Sequence, residues 1–264
     1  MSSSLPPVLY HFFRTPLPYA RTLALQERLH ALQLSQRRLG AHKDVFLLLE
    51  HRPVFTAGRR QTEDSVRDEK LRLTNIGADF ISTARGGELT YHGPGQVVGY
   101  PLLDLSRYAP AMGIRDYICR MQKAMELHLR ERHGITPSKS EHTGVFLNPT
   151  TKVGSIGVQV RHRLTTHGFS LNITMEPVSW FNQIIACGLA DVHAGAIEGV
   201  KGRPISLADE IPELVERFGK LFEREMVKMD PSREGEMGQA IQDMEEEARL
   251  AGPWATEPIE PPVA

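Results

Sequence analysis

The stretch Asp79-Phe-Ile-Ser-Thr-Ala-Arg-Gly-Gly-Glu-Leu-Thr-Tyr-His-Gly-Pro-Gly-Gln-Val-Val-Gly-Tyr-Pro-Leu-Leu-Asp-Leu105 carries the fold in outline. It predicts a strand over 79–84, a glycine-rich loop over 85–96 and a strand over 97–105. Pro101 predicts that the second strand is an edge or bulged one, because proline gives no N–H to a ladder. Upstream, Asp44-Val-Phe-Leu-Leu-Leu-Glu50 is almost wholly apolar, as in a strand covered on both faces. A helix is expected from Tyr19 to Arg38, closed by Gly40. A loop punctuated by Pro53 and Gly58 follows the apolar strand.

Downstream, Ile114, Tyr117, Ile118, Met121 and Met125 make one apolar face of a helix over 113–133. Three successive strands are expected at 143–147, 152–163 and 166–174, then a short helix and turn within 178–189. Ser206 opens a helix that runs to Glu223. Strands and helices mix without strict alternation, which predicts an α/β or α+β fold with a mixed sheet. Residues 1–7 read as a loose arm. Past residue 230 the Pro, Glu and Gly content predicts a weakly ordered tail, with a short helix near Gln239–Leu250.

Composition excludes several classes of function. The chain has 264 residues and a net charge of −1, which argues against a broad electrostatic grip on nucleic acid. No run of about 18 apolar residues suggests a membrane span. The two cysteines, Cys119 and Cys187, form no CxxC pair and no disulfide framework, so a reducing, cytoplasmic setting is expected. The N-terminus lacks the basic start and apolar core of a signal peptide. No HExxH occurs, and the histidine spacing predicts no metal site. No GxxxxGK[ST] loop is present, and Gly93-Pro-Gly95 is out of register for a dinucleotide fingerprint. No cofactor is therefore expected.

The loop from Arg85 to His92 comprises Arg85, Gly86, Gly87, Glu88, Leu89, Thr90, Tyr91 and His92. It combines backbone that can approach a ligand closely, a permanent cation and polar tips. A turn-rich hairpin has the same composition. Cys187 in Ala186-Cys187-Gly188 is either a small buried apolar residue or a nucleophile, and a nucleophile needs a nearby base or cation. Lys152 in Lys152-Val-Gly-Ser-Ile-Gly157 is either a strand-end charge or that partner. His92 and His167 sit in glycine-containing polar turns and are the histidines best placed for a site.

Arg85-Gly-Gly-x-x-x-Tyr-His-Gly-Pro-Gly-Gln96, Lys152-Val-Gly-Ser-Ile-Gly157, His167-Gly-Phe-Ser-Leu-Asn172 and Ala186-Cys187-Gly188 resemble, in order, the motifs of the octanoyltransferase family. The resemblance implies a fold shared with lipoate and biotin protein ligases, a mixed sheet with helices plus a smaller sheet, over a catalytic domain at 8–229. It implies that Cys187 carries an octanoyl thioester and that Lys152 lowers the thiol pKa and moves protons. Arg85 to His92, Ser155, Ile156, Gly157, Gly168, Phe169 and Ser170 would line the acyl site. The donor would be octanoyl-acyl carrier protein. The acceptors would be lipoyl domains of 2-oxoacid dehydrogenases and the glycine cleavage H protein. The family often has proline where this chain has Ala186. An ATP-dependent ligase, or a binding domain that lost its chemistry, would share the fold.

Overall fold

The computed structural model describes residues 5–185 and 191–259. Its elements in chain order are β1 (Val8–Phe12), α1 (Tyr19–Arg37), β2 (Asp44–Leu49), β3 (Val54–Ala57), α2 (Arg67–Asn75), β4 (Asp79–Ser82), β5 (Thr90–His92) and β6 (Gln96–Leu102). They continue with α3 (Ile114–His133), β7 (Val145–Asn148), β8 (Thr151–Arg161), β9 (Leu164–Asn172), α4 (Glu176–Phe181), β10 (His193–Ala194), α5 (Ile197–Lys201), α6 (Leu207–Phe222), β11 (Met226–Lys228) and α7 (Gly235–Leu250).

β2 shows why the sheet is sandwiched. Every residue of it is buried. Phe46 and Leu48 pack with Met121, Met125, Leu214 and Phe218 of α3 and α6. Val45, Leu47 and Leu49 point the other way, to Leu25 and Leu29 of α1 and Ile241 and Met244 of α7. The alternation of a pleated strand thus feeds two cores. Each such side chain contributes roughly 1.5–3 kcal/mol by leaving water. The main sheet runs β10-β8-β9-β6-β2-β1-β11, with β7 also on β8. A three-stranded sheet, β4-β3-β5, carries its own core of Phe55, Tyr91 and Trp180. This is the mixed α/β arrangement that the sequence predicts, with the smaller second sheet that the resemblance implies.

Four local expectations need correction. β6 is neither edge nor shown bulged; it lies between β2 and β9. Its ladder with β9 ends at Gly99↔Phe169. The Pro101 carbonyl, which faces that side, accepts from Thr165 Oγ1 (2.6 Å) and Tyr117 Oη (2.9 Å). The missing N–H therefore falls where the ladder has stopped. The supposed loop after β2 contains strand β3, too short to show a period. Ser206 stands at the N-cap of α6, but its side chain makes no capping bond. The tail is not weakly ordered: the helix expected near Gln239–Leu250 is present as α7, begins earlier at Gly235, and buries Met237, Ile241 and Met244 against α1 and β2. Beyond it, Arg52 lies 4.9 Å from the centre of the Trp254 ring, and the Ile259 N–H donates to Ile76 O (2.9 Å).

Candidate functional site

The β8–β9 hairpin is the site's platform. His162 and Arg163 form its turn with φ of 53° and 67°, the geometry that matches strand twist. Neither residue is the usual glycine or asparagine. Outside contacts hold the turn: Arg37 donates to His162 O (2.6 Å) and the Leu105 N–H to Arg163 O (2.9 Å). The ladder then pairs Ser155 with Ser170, Ile156 with Phe169 and Gly157 with Gly168.

The glycine-rich loop docks on the free edge of β8. The Gly86 N–H donates to Val158 O (3.0 Å). The approach requires glycine at 157, where a Cβ would lie 2.9 Å from Gly86 O. It requires glycine at 58 as well, where a Cβ would lie 2.2 Å from Gly87 O. Arg85 is buried and ties its loop to β3. Its Nη2 donates to Thr56 O (2.6 Å), Thr56 Oγ1 (2.8 Å) and Glu88 O (2.8 Å).

These segments line a partly open cavity of about 40 Å³. Arg85, Gly87, Glu88, Thr90 and His92 line it from the loop and β5, and Ser155–Gly157 and Gly168–Ser170 from the hairpin. Ile156 and Phe169 give it apolar walls. Three residues expected at the site stand behind it. Gly86 makes the edge contact, Leu89 is core, and the Tyr91 ring stacks on Trp180 at 5.4 Å. Tyr19, Tyr100 and His167 also line the cavity. His167 has a sequence signal in the glycine beside it, although it and His92 lie on strands β9 and β5 rather than in the turns expected. Tyr19 and Tyr100 have none, since each reads as an ordinary buried aromatic residue.

The back wall is a buried polar cluster. His51 Nδ1 bonds Leu17 O (3.1 Å), which can only accept, so Nδ1 carries the proton. His51 Nε2 therefore accepts from Tyr100 Oη (2.6 Å). Burial, and then the neighbouring His92, push His51 well below the usual imidazole value. Burial lowers His92 to about 4, with the Gln96 bond opposing and Arg85 adding to the effect. Burial, then Arg85 and His92, take His167 to about 3. Burial raises Tyr19 to about 12. At neutral pH the wall is thus uncharged apart from Arg85. His167 also holds φ of 58° inside a strand, with its N–H donated to Gln26 Oε1 of α1 (2.7 Å). Such a backbone persists only where its surroundings impose it.

Lys152 lies three residues before Ser155 on β8. Its Nζ donates to Thr143 O (3.0 Å) and stands 5.6 Å from the centre of the Phe146 ring. Gly144 makes room for it, because a Cβ there would lie 2.5 Å from Lys152 Cε. Cys187 lies outside the described residues. Cys119 is exposed on α3.

Among the described residues, donor atoms that converge as metal ligands do are those of His128, His133 and Glu210, within 4.8 Å of one another. Both Nε2 atoms bond the same carboxylate oxygen, at 2.7 and 2.8 Å, so the trio acts as a clamp between α3 and α6. No helix among the described residues is long and apolar enough to cross a membrane.

Residues 18–219 match the family model of the lipoyl protein ligase A/B catalytic domain. An octanoyltransferase of Leifsonia xyli is 36% identical over 217 residues, covering 80% of this chain and 90% of that protein. One from Caldicellulosiruptor saccharolyticus is 35% identical over 77% of this chain and 84% of its own. A mitochondrial octanoyl-[acyl-carrier-protein]:protein N-octanoyltransferase of Danio rerio is 34% identical over 73% and 86%. Among solved structures, lipoate-protein ligase A bound with ATP aligns with a TM-score of 0.64 at 13% identity, over 93% of this chain and 96% of that one. A putative lipoate protein ligase from T. acidophilum gives 0.62 at 14%, over 90% and 94%. At such identities these two show the shared fold.

Proposed function

We propose that this chain, which belongs to the octanoyltransferase family of the lipoyl protein ligase A/B catalytic-domain class, moves an octanoyl group from acyl carrier protein to a lipoyl-domain lysine through a thioester on Cys187. It is an acyltransferase, and octanoyl transfer serves lipoate biosynthesis. The observation that carries the reading is the joining of three sequence-distant motifs, 85–92, 155–157 and 168–170, around one pocket, with Lys152 on the same strand as 155–157.

The Cys187 thiolate attacks the donor thioester carbonyl. The new C–S bond forms and the carrier's C–S bond breaks. The acceptor lysine, as neutral amine, then attacks the enzyme thioester; a C–N bond forms and the Cys187 thiolate returns. Lys152 gives a proton to the departing carrier thiolate and receives one from the attacking amine. Backbone N–H groups near Ser155–Gly157 or Gly188 would hold the oxyanion. Exchange of one thioester for another is nearly balanced and amide formation is downhill, so no ATP is consumed. The acceptors are lipoyl domains of 2-oxoacid dehydrogenases and the glycine cleavage H protein.

Intact mass after incubation with octanoyl-acyl carrier protein tests this reading. One octanoyl addition is expected, without ATP, and Cys187→Ala should abolish it. A wild-type enzyme that turns over yet carries no adduct refutes the thioester. A Lys152→Ala variant with full transfer at neutral pH refutes the proton role.

A further inference from the structure

Behind His92 lies a chain of side-chain amides whose orientation can be read without ambiguity. Asn172 Nδ2 donates to the carbonyl of Gly195 (2.9 Å), which can only accept. The Asn172 Oδ1 therefore faces β6, where Gln96 is its cross-strand partner. Gln96 Nε2 donates to that Oδ1 (2.8 Å) and to Tyr91 O (3.3 Å). Two acceptors around one atom identify it as the NH₂ group. Gln96 Oε1 is left to meet His92 Nδ1 at 2.7 Å, so this ring nitrogen must carry the hydrogen. His92, Gln96 and Asn172 are each more than nine-tenths buried.

We propose that Gln96 and Asn172 are positioning residues that fix His92 as its Nδ1–H tautomer, so that Nε2 presents a lone pair to the acyl cavity and accepts a hydrogen bond from the amine of the incoming acceptor lysine. The proposal rests on the acyl-transfer reading above. A neutral imidazole with an acceptor facing inward is wrong for an oxyanion, which needs donors. It is right for an N–H group, whose lone pair it turns toward the thioester carbonyl. The proton remains on the amine through this contact and leaves by Lys152, since a base as weak as His92 does not take it. The amide chain also reaches the thioester side of the site. The Gly195 N–H donates to Lys152 O (2.8 Å), so the backbone beside the proposed proton carrier and the imidazole share one rigid tie.

Two measurements test this. Long-range ¹H–¹⁵N correlation of the imidazoles, assigned with His92→Gln, should show a protonated Nδ1 and an unprotonated Nε2 for His92 in the wild type. Single-turnover kinetics should separate enzyme acylation from aminolysis by a lipoyl domain. In Gln96→Leu the tautomer signature should disappear, and aminolysis should fall at least about tenfold more than acylation, as for loss of one fixed hydrogen bond. Gln96→Glu sets a carboxylate oxygen against Asn172 Oδ1 and Tyr91 O and favours an imidazolium that carries a hydrogen on Nε2, so it should lose aminolysis as well. A wild-type His92 protonated at Nε2, or an equal loss in both half-reactions in Gln96→Leu, overturns the proposal. The spectrum needs no turnover. It can therefore fail while the octanoyl adduct still forms, or hold where the adduct does not.

Discussion

Gly157→Ala puts the geometry of the cavity to direct trial. The new Cβ would sit 2.9 Å from the Gly86 carbonyl oxygen and 3.1 Å from Arg85 Cδ. Real Cβ atoms do not stand so close to backbone oxygen, and β8 is clamped by its ladder with β9. The loop is the part that must yield. Moving it a few tenths of an ångström strains the Gly86 N–H bond to Val158 O and tilts Arg85 in its nest of carbonyls. Overpacking of this kind costs about 1–3 kcal/mol, or roughly 3–10 °C of melting temperature for a chain this long. Misplacement of substrate-holding groups by a fraction of an ångström costs roughly ten- to a hundredfold in rate. The internal control is Gly86→Ala, one strand away. Its Cβ would meet only Val158 O, at 3.5 Å, an ordinary contact. Transfer of octanoyl to a lipoyl domain, measured as kcat/KM beside a thermal melt, should collapse for the first variant and stay within about threefold of wild type for the second, as surface-like substitutions do. Equal behaviour of the two variants, in either direction, refutes the edge-docking account.

Other expectations follow from the same structure. Glu210 is buried; burial pushes its carboxyl up, but the bonds from His128 and His133 outweigh this and hold it at about 2. Its folded value is thus below the unfolded one, so its contribution to stability is complete above about pH 4.5 and fades as pH falls toward 2. Glu210→Ala strands two buried imidazoles and should cost about 3–5 kcal/mol, seen as a fall in melting temperature on the order of 10 °C; a shift under about 2 °C at pH 7 argues against the clamp. Phe169→Leu should open the cavity and move preference toward a ten-carbon chain by about tenfold, one methylene being worth about 1–3 kcal/mol, in a competition between octanoyl and decanoyl carriers. An unchanged ratio would mean that the chain runs elsewhere. Ile241→Ala in α7 should destabilise by about 2–5 kcal/mol in urea unfolding. A change below 0.5 kcal/mol, on the order of surface-substitution noise, would mean that α7 is dispensable.

Much of this was legible before any coordinates. The apolar run of β2 announced a doubly covered strand, and three downstream strands were placed within a few residues. The cavity-lining parts of motifs 85–92, 155–157 and 168–170 are in fact neighbours. Hidden was whatever depended on partners far along the chain. Tyr91 looks like a polar tip in a loop, yet Trp180 makes it core. Arg85 looks like a ligand-holding cation, yet the carbonyl of Thr56 is its partner. Tyr19 and Tyr100 enter the site through helix and strand positions with no local signature. The helix expected near Gln239–Leu250 is α7; its seating in the core was hidden, because the apolar residues that hold it are spread thinly among charged ones.

The hairpin register has a last consequence, for how such a site can diverge. The hairpin presents Ser155 opposite Ser170 to the cavity, on two strands whose turn is gripped from outside. Inserting a residue into either strand would invert every side chain beyond it and present the wrong face to the substrate. Lineages of this architecture can therefore retune the length of acyl chain by exchanging single side chains, while insertions and deletions are confined to segments away from the hairpin.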